Sequence, residues 1–277
     1  MTEVLQYEFF QNALLACCLS SVLCGMIGTY IVTRRLVFIS GGITHASFGG
    51  VGFGLYAGIS PVASAAVSAV LSAFGVIWLR RQKDIREDSA IAILWTLGMS
   101  LGIIFSFLAP GFTPDLSSYL FGNILTVTDS DLIYLGCLTI IVILFYWLFL
   151  RAIIAVAFDE QFARSRHLPV ELIEYVMMGL IALTIVATLR IIGIVMVISM
   201  LTIPQTTANL FSERFRGIML LSVLWGMLGS VGGLLFSYFY NIPSGASIIF
   251  MSVLLYICCK GFFFLQGRFR KIRLSKS

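Results

Sequence analysis

Apolar residues do not alternate along this chain; they run on. Stretches of about 20 residues with few charges, the length that crosses a bilayer as a helix, recur throughout, and short charged clusters separate them. Tyr7 to Asn12 reads as a short interfacial helix with Tyr7, Phe9 and Phe10 at headgroup depth. The first span covers residues 13–33 and stops at Arg34-Arg35; a second runs from Val37 to near Gly58. A third begins at Ser60-Pro61 and closes at Trp78 and Arg80-Arg81. Asp88 or Ser89 can cap a fourth, which ends at Ala109-Pro110. The segment after it is apolar enough between Ser118 and Val127 to dip back into the membrane. A fifth span, 132–150, ends at Arg151. After a polar stretch, Pro169 opens an apolar run from Glu171 to Asn209, broken only by Arg190, which predicts two spans turning near Arg190-Ile191-Ile192-Gly193. Gly217 to Tyr240 makes the next span, Asn241 to Gly245 a tight turn, and the last span ends near Leu265.

The charges orient these spans. Lys and Arg cluster in RRQKDIREDS, around Arg164 and Arg166, in Ser212–Arg216 and in the tail QGRFRKIRLSKS, whereas residues 110–131 hold acids and no base. The positive-inside bias puts the basic clusters in the cytoplasm, the N-terminus outside, and gives nine crossings. Eight result if the N-terminal piece or one of the spans around Arg190 does not fully cross. The expectation is an all-α polytopic membrane protein with eight to nine transmembrane helices. No linker divides it, so residues 1–277 read as one transmembrane domain.

Composition agrees. Of the 277 residues, 59% are hydrophobic and 11% charged, against about 25% charged in soluble domains, and the mean hydropathy is +1.01. The net charge of +5 comes from the clusters between spans, so it is no nucleic-acid signal. The acidic start, MTEVLQYEFFQN, lacks the basic n-region of a signal peptide. The six cysteines lie in apolar runs without a C-x-x-C pair and read as small core residues. No G-x-x-x-x-G-K-[ST] loop occurs, so the chain should not hydrolyse a nucleotide itself, and no H-E-x-x-H occurs either.

Two stretches carry chemistry. Val37–Gly58 holds seven glycines, each costing a helix roughly 1 kcal/mol against Ala. In a membrane such glycines serve close helix approach or backbone that lines a cavity. On a helix, Gly42, His45, Gly49 and Gly52 fall on one stripe, with Thr44 and Ser47 beside it. His45 is the one acid, base or histidine deep within the first five spans. It reads either as an interhelical hydrogen-bonding group or as a transient ligand for a first-row metal ion, which imidazole suits. Thr44 and Ser47 either add oxygen ligands or bond helix carbonyls. Arg190 either snorkels to the outer interface or pairs with an outer acid such as Asp115. Asp115, Asp129 and Asp131 form an outer acidic set that could attract cations; Asp129 and Asp131 read equally as helix caps. The second stretch, AFDEQFARSRHLP, predicts a short amphipathic helix opened by Asp159-Glu160-Gln161. It presents Phe158, Phe162 and Ala163 among charges, either as a docking face for a soluble partner or as a solvated loop.

The order of these pieces resembles the membrane permease subunit of bacterial ABC importers for zinc, manganese and iron, over nearly the whole length. RRLVFISGGITHASFGGVGFG is similar to the family's basic turn and Gly-Asp-x-x-Ser-His-Ala pattern. AFDEQFARSRHLPVELIEY resembles its cytoplasmic coupling segment, and LRIIGIVMVISMLTIPQTTANL and YFYNIPSGASIIF its late spans and outer turn. The resemblance implies a homodimer or close heterodimer in the bacterial inner membrane. It also implies two ABC ATPase subunits carrying the ATP, an extracytoplasmic metal-binding protein, and a transported divalent metal ion as the only ligand. It makes residues 157–169 the coupling segment, with Phe158, Asp159, Glu160, Phe162, Ala163, Arg164, Leu168 and Pro169 at the ATPase. It places His45, Thr44, Ser47, Gly41 and Gly49 along the substrate path, with His45 and more weakly Asp115 as metal ligands. Two departures stand out. Gly41 replaces the family's aspartate four residues before the histidine, which leaves room for a metal chelate as cargo, and His167 replaces a glycine of the coupling loop, which should change its turn. Besides the chelate importer, an ion-gradient-driven secondary transporter is the remaining alternative; the lack of membrane carboxylates to relay protons speaks against it.

Overall fold

The structure, a computed structural model, describes residues 7–80, 86–110, 122 and 124–274. Eleven α-helices follow one another among them: α1 Glu8–Thr33, α2 Val37–Ala57, α3 Pro61–Arg80, α4 Glu87–Leu108, α5 Asp129–Phe158, α6 Glu160–Ser165, α7 Val170–Ile192, α8 Ile194–Met200, α9 Ile203–Ala208, α10 Phe215–Tyr240 and α11 Ser244–Leu274. A single 3₁₀ turn, Ile124–Thr126, precedes α5. Among the described residues seven helices are long and apolar enough to cross a membrane: α1, α3, α4, α5, α7, α10 and α11. With 21 residues α2 is as long as several of these, but glycine dilutes its hydropathy.

The bundle is apolar outside as well as inside. Phe107, Trp147, Leu71 and Ile257 all point outward, as a lipid solvent requires and water would penalise. Its centre is α1. Tyr146 of α5 donates its hydroxyl to the Met26 carbonyl at 2.9 Å, Gln205 Nε2 of α9 donates to the Cys24 carbonyl at 2.8 Å, and the Ser21 and Ser230 hydroxyls meet at 3.1 Å between α1 and α10. Between apolar helices in lipid no hydrophobic force selects a partner, so such bonds, each about 0.6–2 kcal/mol, fix which helices pair. Cys17 and Cys24 are buried small residues here; Cys137 and Cys258 face outward.

Boundaries differ from the sequence expectation where local chemistry overrides it. The expected interfacial helix is the first part of α1, which begins at Glu8 without a break. The helix expected to stop at Arg151 continues to Phe158. Neither Asp88 nor Ser89 caps α4: the helix starts at Glu87, with Arg86 at the cap position. Asp131 does cap, in a reciprocal box with Thr128, and Asp129 accepts a 3.0 Å bond from Asn12 of α1. The largest difference follows α7. Gly193, at φ 77° and ψ 162°, a conformation open to glycine alone, breaks the helix, and the next piece is the short pair α8 and α9 rather than one long helix. Asp115 and, within 118–127, residues 118–121 and 123 lie outside the described residues, as does the Arg190 side chain.

Candidate functional site

The turn into α2 is made by the end of α1. Leu36 N–H bonds the Ile31 carbonyl at 2.8 Å and Arg35 N–H the Val32 carbonyl at 3.2 Å. That is the paired bonding of a Schellman end, with Arg35 at φ 59° where glycine is usual. At the far end Gly58, at φ 68°, stops the helix. Between them the stripe foreseen from sequence lies along α4. A side-chain carbon on Gly42 would strike Ile91; on Gly49 it would come 3.0 Å from the Gly98 carbonyl oxygen; on Gly52 it would strike the Gly102 carbonyl. The glycines therefore bring two backbones into direct contact.

His45 sits in the middle of this seam. Its ring lies parallel to Trp95 of α4, centroids 4.2 Å apart and planes 7° apart, and its Nδ1 is buried without a hydrogen-bond partner among the described residues. Beside it, the Thr44 hydroxyl donates to the Ser40 carbonyl and the Ser47 hydroxyl to the Thr44 carbonyl, both at 2.6 Å. Their protons are committed to the helix; only oxygen lone pairs remain for a cation. Ser68 of α3 donates to the Ala46 carbonyl at 3.1 Å and pins the next turn. A carbon on Gly41 would meet only Ile198 Cδ1, at 3.9 Å. A cavity of 630 Å³ opens between α2, α3 and α4, lined by Ala46, Gly49, Phe53, Ser68, Leu97 and neighbours, without a charged side chain. Among the described residues no three His, Cys, Asp or Glu side chains converge as a metal site. His45 is therefore not part of such a group among the described residues, and Asp115 lies outside them.

The second candidate stretch folds as foreseen in type. Asp159 ends α5 and accepts the Phe162 N–H at 2.9 Å, capping α6. Six residues later the helix closes with Leu168 N–H on the Ala163 carbonyl at 3.2 Å and His167 N–H on the Arg164 carbonyl at 3.0 Å. His167 takes φ 55°. The glycine-type turn therefore persists with a histidine in it, against the expectation of an altered one. Ala163 is buried; Phe158 and Phe162 are 60% and 50% exposed. Leu168 is half-buried, and Pro169 is exposed at the start of α7. Arg164 pairs with Glu160 at 3.0 Å and with Glu171 at 3.8 Å. Partial burial raises the Glu160 pKa, but the hydrogen bond from Arg164 and the charges of Arg34 and Arg164 outweigh it and hold the carboxyl below its ordinary value.

Sequence reasoning missed Arg34 and Glu174. Arg34, taken as a stop signal, is largely buried and reaches Glu160 and Glu174. The signal was present: Glu174 lies one turn inside an apolar helix, where an acid demands a partner.

These features define a multi-pass helical membrane protein with a histidine set in a glycine seam and a short amphipathic helix at the arginine-bearing end of the bundle. Residues 6–262 match the ABC 3 transport family, and the chain belongs to it. It is 34% identical over 254 residues to the manganese transport system membrane protein MntC of Halalkalibacterium halodurans, covering 92% of this chain and 87% of that one. It is 39% identical over 237 residues to a probable metal transport system membrane protein of Chlamydia pneumoniae, covering 83% and 80%. Among solved structures it is similar to PsaBC from Streptococcus pneumoniae in complex with Fab, with TM-score 0.84, 29% identity and 93% of each chain covered.

Proposed function

We propose that this chain is the membrane permease subunit of an ATP-driven importer of divalent metal ions, with manganese first and zinc and iron as the other candidate cargoes. The observation that carries the reading is His45: a lone imidazole held by Trp95 in the glycine-lined core helix of a chain in the ABC 3 transport family. Manganese leads because related permeases of similar length carry that metal in their names. The chain acts as one transmembrane domain in the cytoplasmic membrane. It crosses the membrane eight or nine times, a reading supported by the seven long apolar helices together with α2 and the broken pair α8–α9. Hydrolysis of ATP belongs to a separate subunit, since this chain has no phosphate-binding loop. That subunit docks on residues 157–169, where Phe158 and Phe162 offer exposed apolar surface beside charges and Asp159, Ala163, Arg164, Leu168 and Pro169 hold the turn. An extracytoplasmic metal-binding protein delivers the ion. Two copies of the chain face each other, so that two His45 side chains, with outer acids such as Asp115, together supply the ligands. Gly41, Thr44, Ser47 and Gly49 line the same stretch of path.

The test is uptake resolved by element. Deleting the gene should lower cellular manganese, or zinc or iron, selectively. His45→Ala should lower uptake of that metal by about tenfold or more, the scale set by lost metal-site partners, while the ATPase still co-purifies. Undiminished uptake by the variant would remove His45 from the path.

A further inference from the structure

Where α1 turns into α2, one guanidinium gathers three other elements. Arg34 Nη1 donates to the Val156 carbonyl of α5 at 3.1 Å. Its Nη2 lies 3.5 Å from Glu160 Oε2 of α6 and 3.4 Å from Glu174 Oε1 of α7. The Arg34 and Glu174 side chains are 13% and 7% exposed, so this is an interior joint rather than a surface ion pair. Glu160 is shared: its Oε1 takes Arg164 at 3.0 Å, its Oε2 takes Arg34. Arg164 adds a second positive charge beside Glu160 and also reaches Glu171 at 3.8 Å. The guanidinium spreads its donors over a rigid planar fork that spans a carbonyl and two carboxylates; a lysine ammonium has three donors on one compact centre and lacks that span.

The covalent neighbours give the joint its direction. Two residues, Arg35 and Leu36, separate Arg34 from the first residue of α2, and both have their backbone N–H groups bonded to the end of α1. No slack is left, so displacement of the guanidinium reaches the first turn of the histidine helix. On the other side, α6 itself buries only Ala163, so the Glu160–Arg34 pair is a principal tie between α6 and the bundle.

We propose that Arg34 is the positioning residue through which α6 moves α2, transmitting ATPase-driven displacement to the helix that carries His45. It rests on the reading of α6 as the ATPase docking element, and it adds the route by which docking is felt at the metal path. Docking supplies the push, Glu160 passes it to Arg34, and the closed turn at Arg35 and Leu36 passes it to α2. Glu174, buried on α7, is the fixed point against which the guanidinium turns.

The test uses the whole transporter, permease with its ATPase and binding protein, reconstituted in liposomes, with manganese as the probe. Manganese accumulated and ATP hydrolysed are measured together. Arg34→Lys keeps a positive charge for Glu174 and should fold; Glu174→Gln keeps the volume. Each should retain ATPase binding and ATP hydrolysis while the manganese moved per ATP falls about tenfold, within the range typical of coupling between sites. A residue with a merely structural role would lower the amount of complex and both rates together, leaving the ratio unchanged; that outcome, or full transport per ATP, overturns the proposal. Phe162→Asp separates the two readings. If it leaves ATPase binding intact, docking on α6 is wrong; if it releases the ATPase while the Arg34 and Glu174 variants keep their ratio, docking stands and the joint does not.

Discussion

At position 41 a carboxylate has room. A side-chain carbon there would touch only Ile198, at 3.9 Å, and positions 41 and 45 are neighbours one helical turn apart. Glycine is therefore not demanded by packing at this point, unlike at Gly49 and Gly52, whose added carbons would press on the α4 backbone. Gly41→Asp should assemble with its partners, because the only side-chain atom the added carbon meets is the flexible end of Ile198. It should lower the KM for manganese uptake by about tenfold, the ratio set by a gain of about 1.4 kcal/mol in binding; an unchanged KM in uptake kinetics would sink the idea. His45, Thr44 and Ser47 were legible as a group because imidazole and hydroxyls stand out in an apolar run. Trp95 was not, since nothing in the sequence marks one aromatic among those of the apolar spans as the partner of a histidine, and only the fold stacks it on His45.

At the scale of elements, helices ended by charge were legible and helices ended by geometry were not. Arg34-Arg35, Arg80-Arg81 and Pro169 mark ends that the structure keeps to within a few residues. The apolar run after Glu171 is punctuated only by Arg190, which places the break correctly at Gly193; that two short helices follow instead of one span depends on backbone geometry that hydropathy does not encode. Arg151 misled for the opposite reason: a single exposed arginine rides on α5 without stopping it. The end of α6 shows geometry prevailing over residue type. His167 occupies the left-handed position, at φ 55°, where a side chain costs about 1–2 kcal/mol relative to glycine. His167→Gly should raise the unfolding free energy of the purified protein by about 1 kcal/mol, after the extra chain entropy of glycine is subtracted, with ATPase binding unchanged. Denaturant melts of parent and variant in the same detergent read this directly, and a loss of stability would contradict the turn assignment.

At the scale of the molecule, the all-helical membrane architecture was plain in the sequence, while the count of crossings turns on α2 and on α8–α9, the two places where apolarity or helix length falls short. Among the described residues one chain does not bring three ligating side chains together, so the proposed metal path needs ligands from elsewhere. Native mass spectrometry of the permease with its ATPase should therefore find two copies of the 30.5 kDa chain per complex; a complex holding one copy would leave His45 without the companion ligands proposed for it. The seam between α2 and α4 has a mechanical consequence as well. A lone helix so rich in glycine is a soft rod, and a push at one end would be absorbed as bending. Laid backbone to backbone on α4, through Gly49 and Gly52 against Gly98 and Gly102, it shares a thicker and stiffer cross-section. His45 lies eight residues beyond Val37, about 12 Å along the axis, close enough that a thrust at the turn arrives at the imidazole as travel, with Trp95 and the rest of α4 carried along.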